Sequence, residues 1–141
     1  MIDYYLIGLG SNLEPKSNLT SARNSIAQSV EVLQCSQVLI NPPCGKTFHY
    51  PFHNQLIIVR SDKSVTQLKL IFEAIEIAQG REPKCPARKL TDRPIDIDIL
   101  LEAKSVHELL QQELEESYNQ QIMQEWPIKD EATSSHVKTS H

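Results

Sequence analysis

The stretch at residues 93–100 constrains the fold of this chain most, because isoleucine and aspartate alternate within it as Ile-Asp-Ile-Asp-Ile at 95–99. Successive side chains of a β-strand point to opposite faces of the sheet. The isoleucines are therefore predicted to lie on one face, with Asp96 and Asp98 on the other. This pattern predicts a strand, at residues 95–101, that packs one face against a hydrophobic layer and presents two carboxylates on the opposite face.

The remaining elements follow from the spacing of apolar residues. Further strands are predicted over three runs rich in β-branched and aliphatic residues, at 2–9, 32–40 and 55–60. Two amphipathic helices are predicted where apolar residues recur at spacings of three and four, over 19–30 and 64–78. The order β, α, β, β, α, β predicts an α+β, ferredoxin-like βαββαβ domain, in which both helices pack on one face of an antiparallel sheet.

The ends of these elements also carry signals. Ser17 or Asn18 is suited to the N-cap of the first helix, and Gly80 is suited to the position just after the second. Residues 106–126 are predicted to be helical in part. Residues 129–141 are polar and contain no apolar anchor, so we expect a single domain over 1–128 followed by a flexible tail.

Composition and charge exclude several classes of protein. A chain of 141 residues with 40% hydrophobic and 23% charged residues is globular in composition. The longest apolar run, at 56–59, is far shorter than the roughly 20 residues of a membrane helix, and the chain does not open with a secretory signal pattern. A net charge of -4 argues against general nucleic-acid binding. A monomer without a nucleic-acid or membrane partner is expected.

The three cysteines indicate a compartment. Cys35, Cys44 and Cys85 are an odd and widely spaced set that fits neither a disulfide framework nor a zinc site. We interpret them as reduced thiols, which indicates a cytoplasmic protein.

The pair Asp96 and Asp98 is a candidate metal site. Two neighbouring carboxylates raise each other's pKa unless a cation lies between them. Hard oxygen ligands in an open site favour Mg²⁺, which takes phosphate oxygens and waters as its other ligands. From the alternation alone, an edge strand with a solvated polar face explains the pair equally well.

The segment before this strand is strongly basic. It places five cations within 13 residues, against only Glu82 and Asp92, at Arg81, Lys84, Arg88, Lys89 and Arg93. Carboxylates that hold a metal, next to cations that hold phosphate oxygens, suit a metal–triphosphate complex. The alternative is a solvated loop of mixed charge.

At these residues the chain resembles the 6-hydroxymethyl-7,8-dihydropterin pyrophosphokinase family of folate biosynthesis. The resemblance covers roughly residues 4–101, with its motifs in the family's order. The motifs are Gly10-Ser11-Asn12; Pro42-Pro43 with Gly45; Phe52-His53-Asn54; Glu76 with Gln79-Gly80-Arg81; and Arg93 with Asp96 and Asp98. The resemblance implies the ferredoxin-like fold and Mg²⁺-dependent transfer of pyrophosphate from ATP to a pterin alcohol, with release of AMP.

The resemblance also implies roles for individual residues. Asp96 and Asp98 would bind two Mg²⁺ ions, and Arg81, Arg93 and Asp96 would take part in catalysis. Contacts to the pterin would come from Pro43, Cys44, Gly45, Phe52 and Asn54. Contacts to ATP would come from Glu76, Arg81, Arg88, Arg93 and Ile99. Without the resemblance, Asn54 suits a turn, Phe52 suits a core position, and Glu76 suits a solvated helix face.

The C-terminal part departs from the family pattern. The family usually carries His-Pro and then an arginine before a Trp-Pro segment, whereas residues 113–121 read Glu-Leu-Glu-Glu-Ser-Tyr-Asn-Gln-Gln and only Trp126-Pro127 matches. Met123 is the nearest substitute for the family's second pterin-stacking aromatic. Two alternatives therefore stay open: a degenerate homologue that binds pterin or nucleotide without efficient turnover, and a ferredoxin-like interaction or RNA-binding module. The second lacks the exposed sheet aromatics that RNA-binding sheets use.

Overall fold

A computed structural model of the chain describes residues 1–42, 49–81 and 92–128. Its elements are β1 (Asp3–Ser11), α1 (Pro15–Ala27), β2 (Glu31–Cys35), β3 (Leu39–Asn41), β4 (Phe52–Ser61), α2 (Val65–Ala78), β5 (Asp96–Ala103), α3 (Val106–Leu110) and α4 (Ser117–Glu125). The tail predicted to be flexible, 129–141, falls outside the described residues.

The strands form one antiparallel sheet in the order β2-β4-β1-β5, and β3 pairs with the same edge of β4 as β2 does. α1 and α2 cover one face, where their apolar residues pack on alternate residues of β1, β4 and β5. The predicted α+β ferredoxin-like fold, with these two helices on one face, is confirmed. Ile95 and Ile97 lie in this core as the alternation predicts.

The opposite face of the sheet is covered in part as well, which the sequence did not indicate. A second core forms there from residues of β1 and β4 together with α3 and α4, including Leu6, Leu56, Leu109 and Ile122. Asp96 and Asp98 belong to this second face, since they alternate with the isoleucines of the first core. None of the helices in the described ranges has both the length and the hydropathy needed to cross a bilayer.

The strand predicted over 32–40 is two strands, β2 and β3, separated at Ser36. The Ser36 amide donates to the Leu56 carbonyl at 2.8 Å, but its hydroxyl, not its carbonyl, accepts from the Leu56 amide at 2.8 Å. A side chain that replaces a backbone acceptor interrupts the regular ladder. The prediction of one continuous strand was therefore wrong.

The predicted N-cap of the first helix is wrong, whereas the predicted ends of the second helix are confirmed. α1 begins at Pro15, earlier than Ser17 or Asn18, because the fixed φ of proline suits a first helical position. Asn18 instead donates from Nδ2 to the Leu13 carbonyl at 2.6 Å. α2 begins after Ser64 as predicted, and Gly80 follows its end with φ of +99°.

Candidate functional site

Three strand ends meet on the second face of the sheet. Gly10, near the end of β1, pairs with Asn54 of β4 on one side and with Asp96 of β5 on the other. A Cβ at Gly10 would lie 3.2 Å from the Asn54 Oδ1 and 4.0 Å from the Asp96 Cβ. Glycine at this position therefore lets the Asn54 amide lie close to the backbone, and it forms a floor without a side chain between this amide and a carboxylate that the sequence placed 42 residues apart.

The carboxylates of Asp96 and Asp98 are held close together on this floor. Loss of hydration, followed by the charge of Asp96 and a hydrogen bond to it, raises the pKa of Asp98 to about 7. Within the described ranges, no three His, Cys, Asp or Glu side chains converge as a metal site. A cation here would thus rely on two carboxylates and on ligands from outside the protein, which fits Mg²⁺ with bound phosphates.

We predict that Asp98→Asn stabilises the metal-free protein at pH 8. The pKa of Asp98 is higher in the folded chain than its ordinary value of 3.8, so the wild-type protein loses stability as pH rises through about 7. The variant should melt a few degrees higher at pH 8, and the difference should shrink towards pH 4. Melting curves across this pH range test it. A lower melting temperature for Asp98→Asn at pH 8 would contradict the prediction.

Glu76 and Arg81 form a buried ion pair at the open edge of β5. The Glu76 carboxylate accepts from the Arg81 NH1 at 2.9 Å and from the Ile97 amide at 2.7 Å. Burial raises the pKa of Glu76, whereas the Ile97 amide and the Arg81 charge lower it. Glu76 therefore satisfies a backbone donor on the edge strand and fixes the guanidinium beside it.

The same guanidinium holds the first aspartate of the pair. Arg81 NH1 lies 2.7 Å from the Asp96 Oδ1, and the Arg81 side chain is only 4% exposed. NH1 also donates to the Ile95 carbonyl at 3.3 Å. Arg81 thus links the end of α2 to the start of β5 and orients Asp96. Its contact with phosphate stays a prediction.

Arg93 lies between the aspartate and an aromatic ring. Its NH1 is 3.5 Å from the Asp96 Oδ2, and its guanidinium carbon is 5.4 Å from the centre of the Phe52 ring. Phe52 is half-buried at the start of β4. Arg93 therefore brings together a residue predicted to bind pterin and a residue predicted to bind metal.

Asn12 connects the segments around this floor through side-chain hydrogen bonds. Its Nδ2 donates to the Asp92 Oδ1 at 2.6 Å and to the Tyr50 carbonyl at 3.3 Å, and its Oδ1 accepts from the Arg93 amide at 2.7 Å. The His49 amide donates to the same Asp92 oxygen at 2.9 Å. The Gly-Ser-Asn motif signalled Asn12, but nothing in the sequence signalled Asp92, which was counted only as a minor negative charge.

Asn12→Ala is expected to destabilise the fold by about 2–3 kcal/mol, because buried donors and acceptors would lose their partners. Urea unfolding should show a lower midpoint with an unchanged slope. Asn24→Ala, on the exposed surface of α1, is the matched control and should leave the midpoint unchanged. Equal midpoints for Asn12→Ala and the wild-type chain would show that the cluster does not support the fold.

The structure brings together most of the predicted site residues that it describes. Asn54, Phe52, Arg81, Arg93, Asp96 and Asp98 surround one end of the second face, and Glu76 supports Arg81. Ile99 instead packs against the core under α1 and α2. The predicted residues Pro43, Cys44, Gly45 and Arg88 lie outside the described residues, as do Lys84 and Lys89.

A family model described as 7,8-dihydro-6-hydroxymethylpterin-pyrophosphokinase matches residues 6–127. Two curated proteins, from two strains of Porphyromonas gingivalis, carry the name 2-amino-4-hydroxy-6-hydroxymethyldihydropteridine pyrophosphokinase. Each is 36% identical to this chain over 97 residues, which cover 67% of the chain and 66% of the relative. The match thus spans slightly less than two thirds of the relatives' own length.

Proposed function

We propose, from the premise that the chain belongs to the 7,8-dihydro-6-hydroxymethylpterin-pyrophosphokinase family, that it transfers the pyrophosphoryl group of ATP to 6-hydroxymethyl-7,8-dihydropterin. The reaction releases AMP and serves folate biosynthesis. Asp96 and Asp98 would hold two Mg²⁺ ions, which would neutralise negative charge on the phosphates of ATP. We also propose that the protein is a cytoplasmic monomer that binds no nucleic acid. The exposed free thiol of Cys35 supports the cytoplasmic location.

One observation carries this proposal: an amide and a pair of carboxylates flank the side-chain-free floor at Gly10. Asn54 supplies donors and an acceptor for the polar edge of a pterin, while Asp96 and Asp98 lie on the adjacent strand. The hydroxymethyl arm of a pterin held by Asn54 would therefore extend towards the carboxylate pair. This geometry suits transfer between two substrates bound side by side.

The transfer needs positioning and charge stabilisation from the chain. The substrate hydroxyl oxygen forms a bond to the β-phosphorus of ATP, the bond from that phosphorus to the oxygen of the α-phosphate breaks, and AMP leaves. When bound, Mg²⁺ would neutralise negative charge on the phosphate oxygens. Arg93 lies close enough to Asp96 to stabilise negative charge on the same phosphates, and Asp96 can accept the hydroxyl proton.

Arg81 acts through Asp96 in this proposal. Its guanidinium is buried between Glu76 and Asp96, so it keeps the Asp96 carboxylate aimed along the second face. Glu76 in turn keeps the guanidinium in place. The contacts of Glu76 and Ile99 with ATP, and of Arg81 with its phosphates, are implied by the family resemblance and stay predictions. Arg81 and Glu76 are both nearly inaccessible in this structure.

A second candidate function is binding of pterin or nucleotide without efficient turnover. The specific observation in its favour is α4, which carries glutamine and methionine where the family usually has arginine and an aromatic. Under this alternative Asp96, Asp98 and Asn54 still bind substrates, but the transfer is slow.

Incubation with the pterin alcohol, ATP and Mg²⁺, followed by chromatography of the nucleotides, separates these functions. Transfer of pyrophosphate releases AMP in step with loss of ATP, whereas a simple kinase releases ADP. Binding of both substrates in calorimetry, with no AMP at high protein concentration, would favour the second candidate. ADP as the pterin-dependent product would rule out the proposed reaction.

A further inference from the structure

A cavity of about 370 Å³ lies between α1 and the segment that leads into β3. The side chains that line it include Lys16, Leu19, Arg23, Val38, Ile40 and His53. The three from α1 lie on one face of that helix, because they are spaced by three and four positions. His53 and Asn54 are consecutive residues of β4, so their side chains point to opposite faces of the sheet. The cavity is therefore separate from the candidate site.

Apolar side chains form one wall of this cavity. Leu19 belongs to the core beneath α1, whereas Val38 and Ile40 are 42% and 60% exposed. Ile40 pairs with His53 across β3 and β4, which places both residues at the same end of the cavity. Pockets that take small molecules are concave, mostly apolar and about 300–1,000 Å³ in volume. This wall therefore suits the apolar part of a small molecule.

Neutral side chains hold Arg23 in place at the cavity. Gln55 is only 6% exposed, and its Nε2 donates to the Ser36 carbonyl at 2.7 Å. The Gln55 Oε1 accepts from the Arg23 NH1 at 2.7 Å, and the Arg23 NH2 donates to the Thr20 Oγ1 at 3.2 Å. These two hydrogen bonds fix the guanidinium but use only part of its set of five N–H donors. The remaining donors are available to a ligand.

The positive charge at the cavity has no counter-charge from the described part of the chain. Neither Arg23 nor Lys16 lies within ion-pair distance of a carboxylate there. His53 lines the same cavity, and its buried Nδ1 has no hydrogen-bond partner among the described residues. A buried polar atom without a partner costs free energy. An anion in the cavity would supply an acceptor for an N–H of this ring and a counter-charge for both cations.

We propose that this cavity binds a small carboxylic acid with an apolar body, in its ionised form. The carboxylate accepts from the Arg23 guanidinium, and the apolar body packs on Leu19, Val38 and Ile40. A guanidinium suits a carboxylate because two parallel N–H groups can donate to its two oxygens. Its fixed orientation lowers the entropy cost of binding. The proposal goes beyond the proposed function and does not depend on it, because the cavity lies on the opposite face of the sheet.

Two ligands, 3-phenylpropionate and 3-phenylpropionamide, test the role of the charge, because they share an apolar body and differ in the carboxylate. In calorimetric titration of the wild-type protein, the acid should bind at least about tenfold more tightly than the amide. An equal concentration of inorganic phosphate, which lacks an apolar body, should change the affinity for the acid less than about twofold. In proton–nitrogen correlation spectra, the acid should shift the backbone amides of Leu19, Thr20 and Ile40 most.

Two variants test the residues of the cavity. Arg23→Met should weaken binding of 3-phenylpropionate at least about tenfold, and Ile40→Ser about threefold or more. Lys69→Met is the matched control, because it removes an exposed cation of α2 that does not line the cavity. The control should bind the acid as tightly as the wild-type protein does. All three variants should bind 6-hydroxymethylpterin with wild-type affinity.

The wild-type protein alone can contradict the proposal. Equal affinity for the acid and the amide, or no binding of the acid at about 10 mM, would overturn it. Wild-type affinity for the acid in Arg23→Met would also overturn it, as would displacement of the acid by an equal concentration of phosphate. None of these results bears on pyrophosphate transfer, which is measured separately by AMP release.

Discussion

Asp98→Ala is expected to slow AMP release at least about 1,000-fold, which corresponds to about 4 kcal/mol of transition-state stabilisation. The reason is that no three His, Cys, Asp or Glu side chains form a metal site in the described part of the chain, so a cation there would depend on the pair Asp96 and Asp98. With one carboxylate gone, a cation retains a single protein ligand. The rate is measured from AMP formation at saturating ATP, pterin and Mg²⁺.

The loss of activity in Asp98→Ala tests the catalytic role only if the variant stays folded. Removal of the Asp98 charge relieves its repulsion with Asp96, so the melting temperature of the variant should not fall. Asp62→Ala, an exposed aspartate in the turn between β4 and α2, is the matched control and should keep full activity. Less than a tenfold loss in Asp98→Ala would mean that the aspartate pair does not hold the catalytic metal.

Arg81→Met is expected to destabilise the fold by about 3–5 kcal/mol, because it leaves the buried Glu76 carboxylate without its counter-charge. Burial already raises the pKa of Glu76, so in the variant this group should take up a proton on folding. The loss should therefore be larger at pH 8 than at pH 5. Chemical denaturation at the two pH values measures both effects.

A second substitution tests whether Arg81 also serves catalysis. Glu76→Gln combined with Arg81→Met removes the unpaired charge while an amide oxygen stays available to the Ile97 amide, so much of the stability should return. Turnover should stay low, because Asp96 has lost the guanidinium that orients it. Recovery of both stability and activity in the double variant would show that Arg81 has only a structural role.

The exposed pair of Arg60 and Glu31 gives a control of the same chemistry. Arg60 NH2 lies 2.7 Å from the Glu31 Oε1 at the surface, where solvent weakens an ion pair. Arg60→Met should leave both the denaturation midpoint and AMP formation nearly unchanged. A large destabilisation there would indicate that loss of the arginine stem, and not the unpaired charge, explains the Arg81 result.

The sequence predicted what local periodicity encodes. The alternation at Ile95–Ile97 identified the buried and the polar face of β5 correctly, because each side chain's direction depends only on its position along the strand. The spacing of apolar residues likewise predicted α1 and α2. Ser64 and Gln67 form the capping box that begins α2, so the helix start was encoded within four residues.

The sequence did not predict what depends on contacts between distant segments. Asp92 meets Asn12 across 80 positions, and the role of each is visible only when the strand ends are brought together. The sequence likewise did not indicate that Asn119 of α4 is buried, since its burial depends on how α4 crosses the sheet. The break at Ser36 was missed for a related reason: its hydroxyl replaces a backbone acceptor opposite Leu56.

The central claim is that Asp96 and Asp98 share divalent cations beneath a triphosphate. A crystal soaked with Mn²⁺, a non-hydrolysable ATP analogue and 6-hydroxymethylpterin tests it most directly, because anomalous scattering locates the metal. We expect two peaks between the two carboxylates and the phosphates, with the pterin beside Asn54. A bound nucleotide with no metal peak near Asp98, and with Asp96 still paired only with Arg81 and Arg93, would contradict the claim.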